Sequence, residues 1–237
     1  MPTLTELLDD AALYSFEHQL HLADTLGEHS WYADFKAQTF EFTGAVNRRC
    51  TRFHVLGSAA PGPGSWLWSW ANTVADYPAP ILGLAEFVRD FGRQHGIPEL
   101  AEPETAFQDF PGAPTEPHQV LSVITEAAKA VSNVWTSYNG EVGGGTRVAV
   151  LIDHPDFRLP PPEPARVQRV LQQSLTDLAL TDHRRAFHSY AVRRGLGATF
   201  SADGTRLQIV GPGLDVAVRF NGQGLVVAMS SQLGQQA

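Results

Sequence analysis

The sequence predicts an α+β fold: antiparallel meander sheets covered by helices, laid out as two helix-plus-four-strand halves. Three observations carry the expectation. Apolar residues recur three and four apart over 4–27, 81–95 and 115–131, the spacing of amphipathic helices. Between and after these stretches lie short runs whose apolar residues alternate, closed by Gly, Pro and Asn turns. The turns between neighbouring runs are too short for crossover helices, which favours antiparallel pairing.

Each element follows from its residues. In 4–27, Leu4, Leu8, Ala11, Leu22 and Leu26 form one stripe, and Leu13, Phe16 and Leu20 fall well round the cylinder. Only a strip with Glu6, Asp10, Glu17 and Asp24 is polar, so this helix needs cover on two sides, and Gly27 ends it. Trp31–Phe35, Phe40–Phe42, Arg49–Gly57 and the tryptophan run 66–70 are the four strands of the first half. A helix through Ile81, Leu84, Phe87, Val88 and Phe91 stops at Gly96 and Pro98.

The acidic, proline-containing segment 99–114 reads as a linker between 1–98 and 115–237, the whole packed as one compact unit. Thr115 is the expected N-cap of the next helix. Trp135–Asn139 and Thr146–Asp153 form a strand pair across turns at Asn139-Gly140 and Gly143-Gly144-Gly145. The run LPPPEP opens a helix through Val167, Val170, Leu171 and Leu178, and Asp182 caps another that ends on Arg193-Arg194-Gly195. Four strands finish the chain: 198–202, 206–210, 214–220 and 225–230, with Leu214, Val216, Val218 and Phe220 on one face.

Composition narrows the function. The 237 residues carry a formal charge of −8, which disfavours a nucleic-acid partner, because neutralising phosphates takes a concentrated basic surface. No apolar run approaches the ~20 residues of a membrane span, and the N-terminus lacks a signal-peptide pattern. A cytoplasmic protein is expected. One cysteine, Cys50, excludes an internal disulfide, and no cofactor or metal-ligand spacing emerges. Lysine occurs only at positions 36 and 129, a composition associated with GC-rich bacterial genomes.

The most unusual stretch is GSWLWSWAN. In a strand, Trp66, Trp68 and Trp70 stand on one face, with Asn72 as a polar handle at the end. Two readings stay open: a core face covered by the first helix or by the 81–91 helix, or a tryptophan-lined pocket for a ligand. Asp153 and His154 at a strand end are the alternative polar site, with His18 or His54 as possible neighbours. His18 and His21 sit one turn apart but lack the zincin spacing, and the 143–145 glycines lack a phosphate-loop ending.

The strings WYADF, TFEF, VLGS, SWLWSWAN and HGIPEL, spanning Trp31–Leu100, resemble a bacterial, mainly actinobacterial, domain family of unknown function with a Trp-Leu-Trp-x-Trp-Ala-Asn strand. The resemblance implies a bacterial origin and α+β character, and it assigns no catalytic or binding residue. The sequence therefore favours a non-catalytic small-molecule or protein-binding module. The alternative is a hydrolase-like enzyme built on the Asp153/His154 pair.

Overall fold

A computed structural model describes residues 1–234 and divides the chain into two compact units. The first comprises Met1–Leu7 with His18–Arg158; the second comprises Leu8–Glu17 with Leu159 onward. Helix α1 (Leu4–Leu26) supplies residues to both. It starts at a reciprocal cap, in which the Thr3 hydroxyl accepts the Glu6 N–H and the Glu6 carboxylate accepts the Thr3 N–H, and it stops at Gly27 (φ 58°).

In the first unit, β1 (His29–Asp34), β2 (Thr39–Gly44) and β3 (Arg48–Arg49) form a three-stranded antiparallel meander. The four-stranded meander expected of the first half stops there. At Cys50 the chain changes partner: the Cys50 N–H donates to the Phe40 carbonyl, but the Thr51 N–H donates to that of Asp153. From this point β4 (Arg52–Ala60) pairs with β8 (Thr146–Asp153) on one side and β5 (Ser65–Trp68) on the other. With β6 (Glu104–Ala106) and β7 (Ser137–Gly143) they make a five-stranded antiparallel sheet in the order β6-β5-β4-β8-β7. Strand β8 is interior and carries the continuous run Val148–Ile152, buried at every residue. Val148, Val150 and Ile152 join Phe53, Val55, Phe40, Phe42, Leu22 and Leu26 in one core. Each such side chain contributes roughly 1.5–3 kcal/mol by leaving water.

Helix α2 (Ala79–His95) packs along β4, and α4 (Pro117–Ser132) lies against β8 and β4. The cap of α4 is Glu116 and not Thr115, because Pro117 takes the first helical position. The 99–114 segment is not a free tether. It contains the end of α3 (Pro98–Ala101), strand β6, and a 3-10 turn, and is anchored by the buried Leu100, Phe107 and Phe110. The boundary between units falls at Arg158/Leu159. Asn139-Gly140 is likewise not a turn. Gly140 pairs with Val148 inside β7, and the reversal is made at Gly143–Gly145, all with positive φ.

In the second unit, α5 (Pro164–Asp177) and α6 (His183–Arg193) precede β9 (Gly197–Phe200), β10 (Arg206–Gly211), β11 (Leu214–Phe220) and β12 (Val226–Leu233). These strands form the expected antiparallel meander, in the order β12-β11-β10-β9. Leu207, Ile209, Val216 and Val218 are buried, and Val210, Asp215 and Arg219 on the alternate positions are exposed. Asp182 caps α6 by accepting the Arg185 N–H. Taken together, the structure is α+β with three antiparallel sheets.

Candidate functional site

The tryptophan run divides at Ser69, whose hydroxyl donates to the Val55 carbonyl at 2.6 Å and ends β5 in a 3-10 turn, Ser69–Ala71. Trp66 and Trp68 have no accessible surface and meet edge to face, 5.4 Å between ring centroids. They stand opposite Ala59 and Gly57 on β4, the two small residues that leave room for indoles. A Cβ on Gly57 would lie 2.6 Å from the Trp66 ring and 2.3 Å from the Leu67 carbonyl oxygen. The Trp68 indole N–H donates to the Glu99 carbonyl of α3. Trp70 has left the strand and is half-buried, with the Arg89 guanidinium of α2 at 5.3 Å from its ring centroid. Asn72 is spent locally, accepting the Ala75 N–H. Two of the three indoles are therefore core; α3 meets the Trp68 indole and α2 the Trp70 ring.

The strand-end pair is also committed to structure. The His154 Nδ1 accepts the Asp156 N–H and caps the 3-10 turn Pro155–Phe157, while its ring rests on Phe157. The Asp153 carboxylate lies 3.7 Å from the Arg158 guanidinium, and Asp156 is paired with Arg48 at 2.9 Å. His18 is buried, with Nδ1 3.4 Å from the Thr136 hydroxyl and its ring stacked on Trp135. His21 Nε2 donates to the Asp156 carbonyl. His54 is half-buried; burial, then the nearby Arg52 charge, holds its imidazolium below the usual range, against a hydrogen bond to the Pro80 carbonyl. Burial pushes the Cys50 thiol up to about 12, and the neighbouring Asp153 charge adds to the rise, so the nucleophilic thiolate is suppressed. Among the described residues, no three His, Cys, Asp or Glu side chains converge as a metal site.

The second unit gathers charge instead. The acids on the middle of α1 meet the arginines of α6. Asp9 is buried and accepts the backbone N–H groups of Thr181 and Asp182, one per carboxylate oxygen. Its pKa is raised because desolvation outweighs those two bonds. Asp10 receives a two-pronged contact from Arg185, at 2.8 and 2.7 Å. Glu17 has no accessible surface; Arg194 approaches it to 2.9 Å, Arg166 to 3.2 Å, and the Tyr190 hydroxyl donates at 3.0 Å. The polar strip of α1 is thus partly interior, because Arg166 of α5, Arg185 of α6 and the C-cap Arg194 meet its acids.

Beside the Asp10–Arg185 pair opens a groove of about 410 Å³, lined by Asp10, Asp182, Arg184, Arg185, His188, Ser189 and Phe200. Spacing explains the lining. Residues 184, 185, 188 and 189 share one face of α6, and Ala186, Phe187, Tyr190 and Ala191 are buried on the other. Within the groove, Asp10 and Arg185 satisfy each other, and the Ser189 hydroxyl donates to the Asp10 carbonyl. Three groups are not so engaged. Arg184 donates only to the Asn221 carbonyl and has no carboxylate partner among the described residues; it also lies over the Phe220 ring. The Asp182 carboxylate accepts the Arg185 N–H and pairs with no cation among the described residues. His188 has no hydrogen-bond partner among the described residues, and its ring is stacked on Phe200 at 5.4 Å and 23°.

Sequence reasoning did not find this groove. Its signal is the charge density of HRRAFH at a helix start, which reads equally well as a solvated face.

Among the described residues, no helix is long and apolar enough to cross a membrane. Comparison with curated proteins and with solved structures finds no match. Compared with known protein families, residues 5–155 match a family of unknown function (DUF6882), which takes in nearly all of the first unit and stops short of the strands of the second; the chain belongs to that family.

Proposed function

We propose that the chain is a non-catalytic, small-molecule-binding protein of bacterial, cytoplasmic origin, and that its ligand site is the groove on α6. The observation that carries this reading is the groove's composition. It has the volume of a small-ligand site, which typically spans ~300–1,000 Å³, and its lining includes a carboxylate and a guanidinium without an ion-pair partner among the described residues. The groups a hydrolase would need point the other way: the Asp153 carboxylate faces an arginine, the His154 Nδ1 caps a turn, and the Cys50 thiol is buried. Full burial of Trp66 and Trp68 leaves them no surface for a ligand, which moves the site away from the Trp66–Asn72 run. The family signature over Trp31–Leu100 lies inside the matched residues, and the near-absence of lysine supports a bacterial source.

The test is a thermal-unfolding screen of the full chain against chemically diverse small metabolites. A compound at 100 times its Kd stabilises by roughly 2.7 kcal/mol, a shift of a few degrees. Compounds that raise Tm in the native chain and not in Phe200→Ala support the reading. If no compound does so, or if the shifts are indifferent to groove substitutions, the reading fails.

A further inference from the structure

We infer that the groove takes a small zwitterion with a planar side group, of which an aromatic α-amino acid is the simplest example. The inference rests on the groove being a ligand site and goes on to name the chemistry it reads. The argument is one of residual valence. Of the four charged side chains lining the groove, Asp10 and Arg185 neutralise each other through two short hydrogen bonds. That leaves one carboxylate, Asp182, and one guanidinium, Arg184, each without an ion-pair partner among the described residues. No ion pair joins the two among the described residues, although Asp182 Oδ1 and Arg184 Nε both reach the position of Gly224, at 3.5 and 3.9 Å from where a Cβ there would stand. A monoanion would satisfy Arg184 and be repelled by Asp182; a monocation would do the reverse. A ligand bearing both signs satisfies both.

The third feature is the His188–Phe200 stack. Phe200 is 37% exposed at the end of β9, an edge strand, and its ring is stacked with His188 at 5.4 Å and lies tilted at 45° to Phe220 at 6.4 Å. An aromatic surface of this kind beside a pair of opposite charges suits a planar group attached to an ammonium-carboxylate head. Ser189 contributes no donor to such a ligand, since its hydroxyl hydrogen is given to the Asp10 carbonyl.

The experiment is isothermal titration of the full chain at pH 7 with four probes: L-phenylalanine, 3-phenylpropionate (no ammonium), phenethylamine (no carboxylate) and 2-phenylethanol (neither). L-Phenylalanine is expected to bind most tightly. Loss of either charge should weaken binding about fivefold, the ceiling for a partly exposed ion pair, and the alcohol should be weakest. Asp182→Asn keeps a capping side chain and should bring L-phenylalanine and 3-phenylpropionate to the same affinity. Arg184→Gln should do the same for L-phenylalanine and phenethylamine, and Phe200→Ala should weaken all four probes without changing their order. Circular dichroism of each variant confirms that the fold is retained. The zwitterion assignment is overturned if a singly charged probe or the alcohol binds as tightly as L-phenylalanine, or if Asp182→Asn preserves the preference. It also falls if none of the four binds while other compounds give Phe200-dependent stabilisation. In those cases the groove remains a ligand site; only when no compound binds there do both readings fall.

Discussion

Three glycines show how far single residues set the packing. Gly140 lies under Trp31, and a Cβ there would stand 2.1 Å from the indole ring; Gly57 is crowded by backbone as well as by Trp66. Gly83, on α2, has nothing within 4 Å of the same position. Opposite outcomes follow for the same substitution. Gly140→Ala should lower stability by about 1–3 kcal/mol, the cost of overpacking, while Gly83→Ala should raise it by about 0.4–1 kcal/mol by reducing unfolded-state entropy. Urea unfolding read by tryptophan fluorescence measures both, and a neutral Gly140→Ala would show that Trp31 is not seated as described. Gly140 was legible in the sequence only as turn chemistry. Nothing local reveals that a tryptophan from over a hundred residues earlier lies across it. His54 makes a second prediction at this scale. Its folded-state pKa lies below the unfolded value near 6.5, so the unfolded chain binds more protons in the window just under that pH. Its contribution to stability is present above pH 6.5 and lost as pH falls through that value. His54→Gln should flatten the slope of unfolding free energy between pH 7 and pH 5.

At the scale of elements, periodicity located the helices well, and the C-terminal meander could be read strand by strand because Asp203-Gly204, Gly211-Pro212-Gly213 and Asn221-Gly222 close its hairpins. What periodicity could not show is whether a polar strip faces water or another helix. The α1 strip looks solvated in isolation, and α6 looks like an ordinary basic helix. Their pairing appears only when Asp10 meets Arg185 and Glu17 meets Arg194, some 175 positions apart in sequence for the first pair. Charge reversal tests that pairing directly. Asp10→Arg or Arg185→Asp alone should destabilise by about 1–2 kcal/mol, somewhat beyond an exposed pair because both side chains are partly covered and the contact is bidentate. The double reversal should recover a substantial part of that loss. Additive losses in the double-mutant cycle would mean that the two side chains do not interact.

At the scale of the molecule, the sequence divides at its proline-rich 99–114 segment, but the structure divides after Arg158. The difference traces to two long-range pairings. Strand β4 hydrogen-bonds to β8 nearly a hundred residues later, which draws α4, β7 and β8 into the first unit, and α1 gives its middle to the second. Neither pairing leaves a local trace, whereas the buried Leu100, Phe107 and Phe110 fix a segment whose composition resembles a tether. The shared helix has a thermodynamic consequence. All five tryptophans, at 31, 66, 68, 70 and 135, belong to the first unit, so their fluorescence reports on that unit alone. Glu17, by contrast, is buried among Arg166, Tyr190 and Arg194 of the second. Glu17→Ala leaves the Arg194 guanidinium, itself nearly inaccessible, without its carboxylate, a change that typically costs about 3–5 kcal/mol. Helix formation is cooperative along the chain, so loosening residues 8–17 weakens the flanking turns that carry Leu4, Leu22 and Leu26 into the first unit. Glu17→Ala should therefore shift the tryptophan-fluorescence midpoint to lower urea together with the far-ultraviolet circular dichroism. An early dichroism transition with an unmoved fluorescence midpoint would show that the helix passes no stability between the two units.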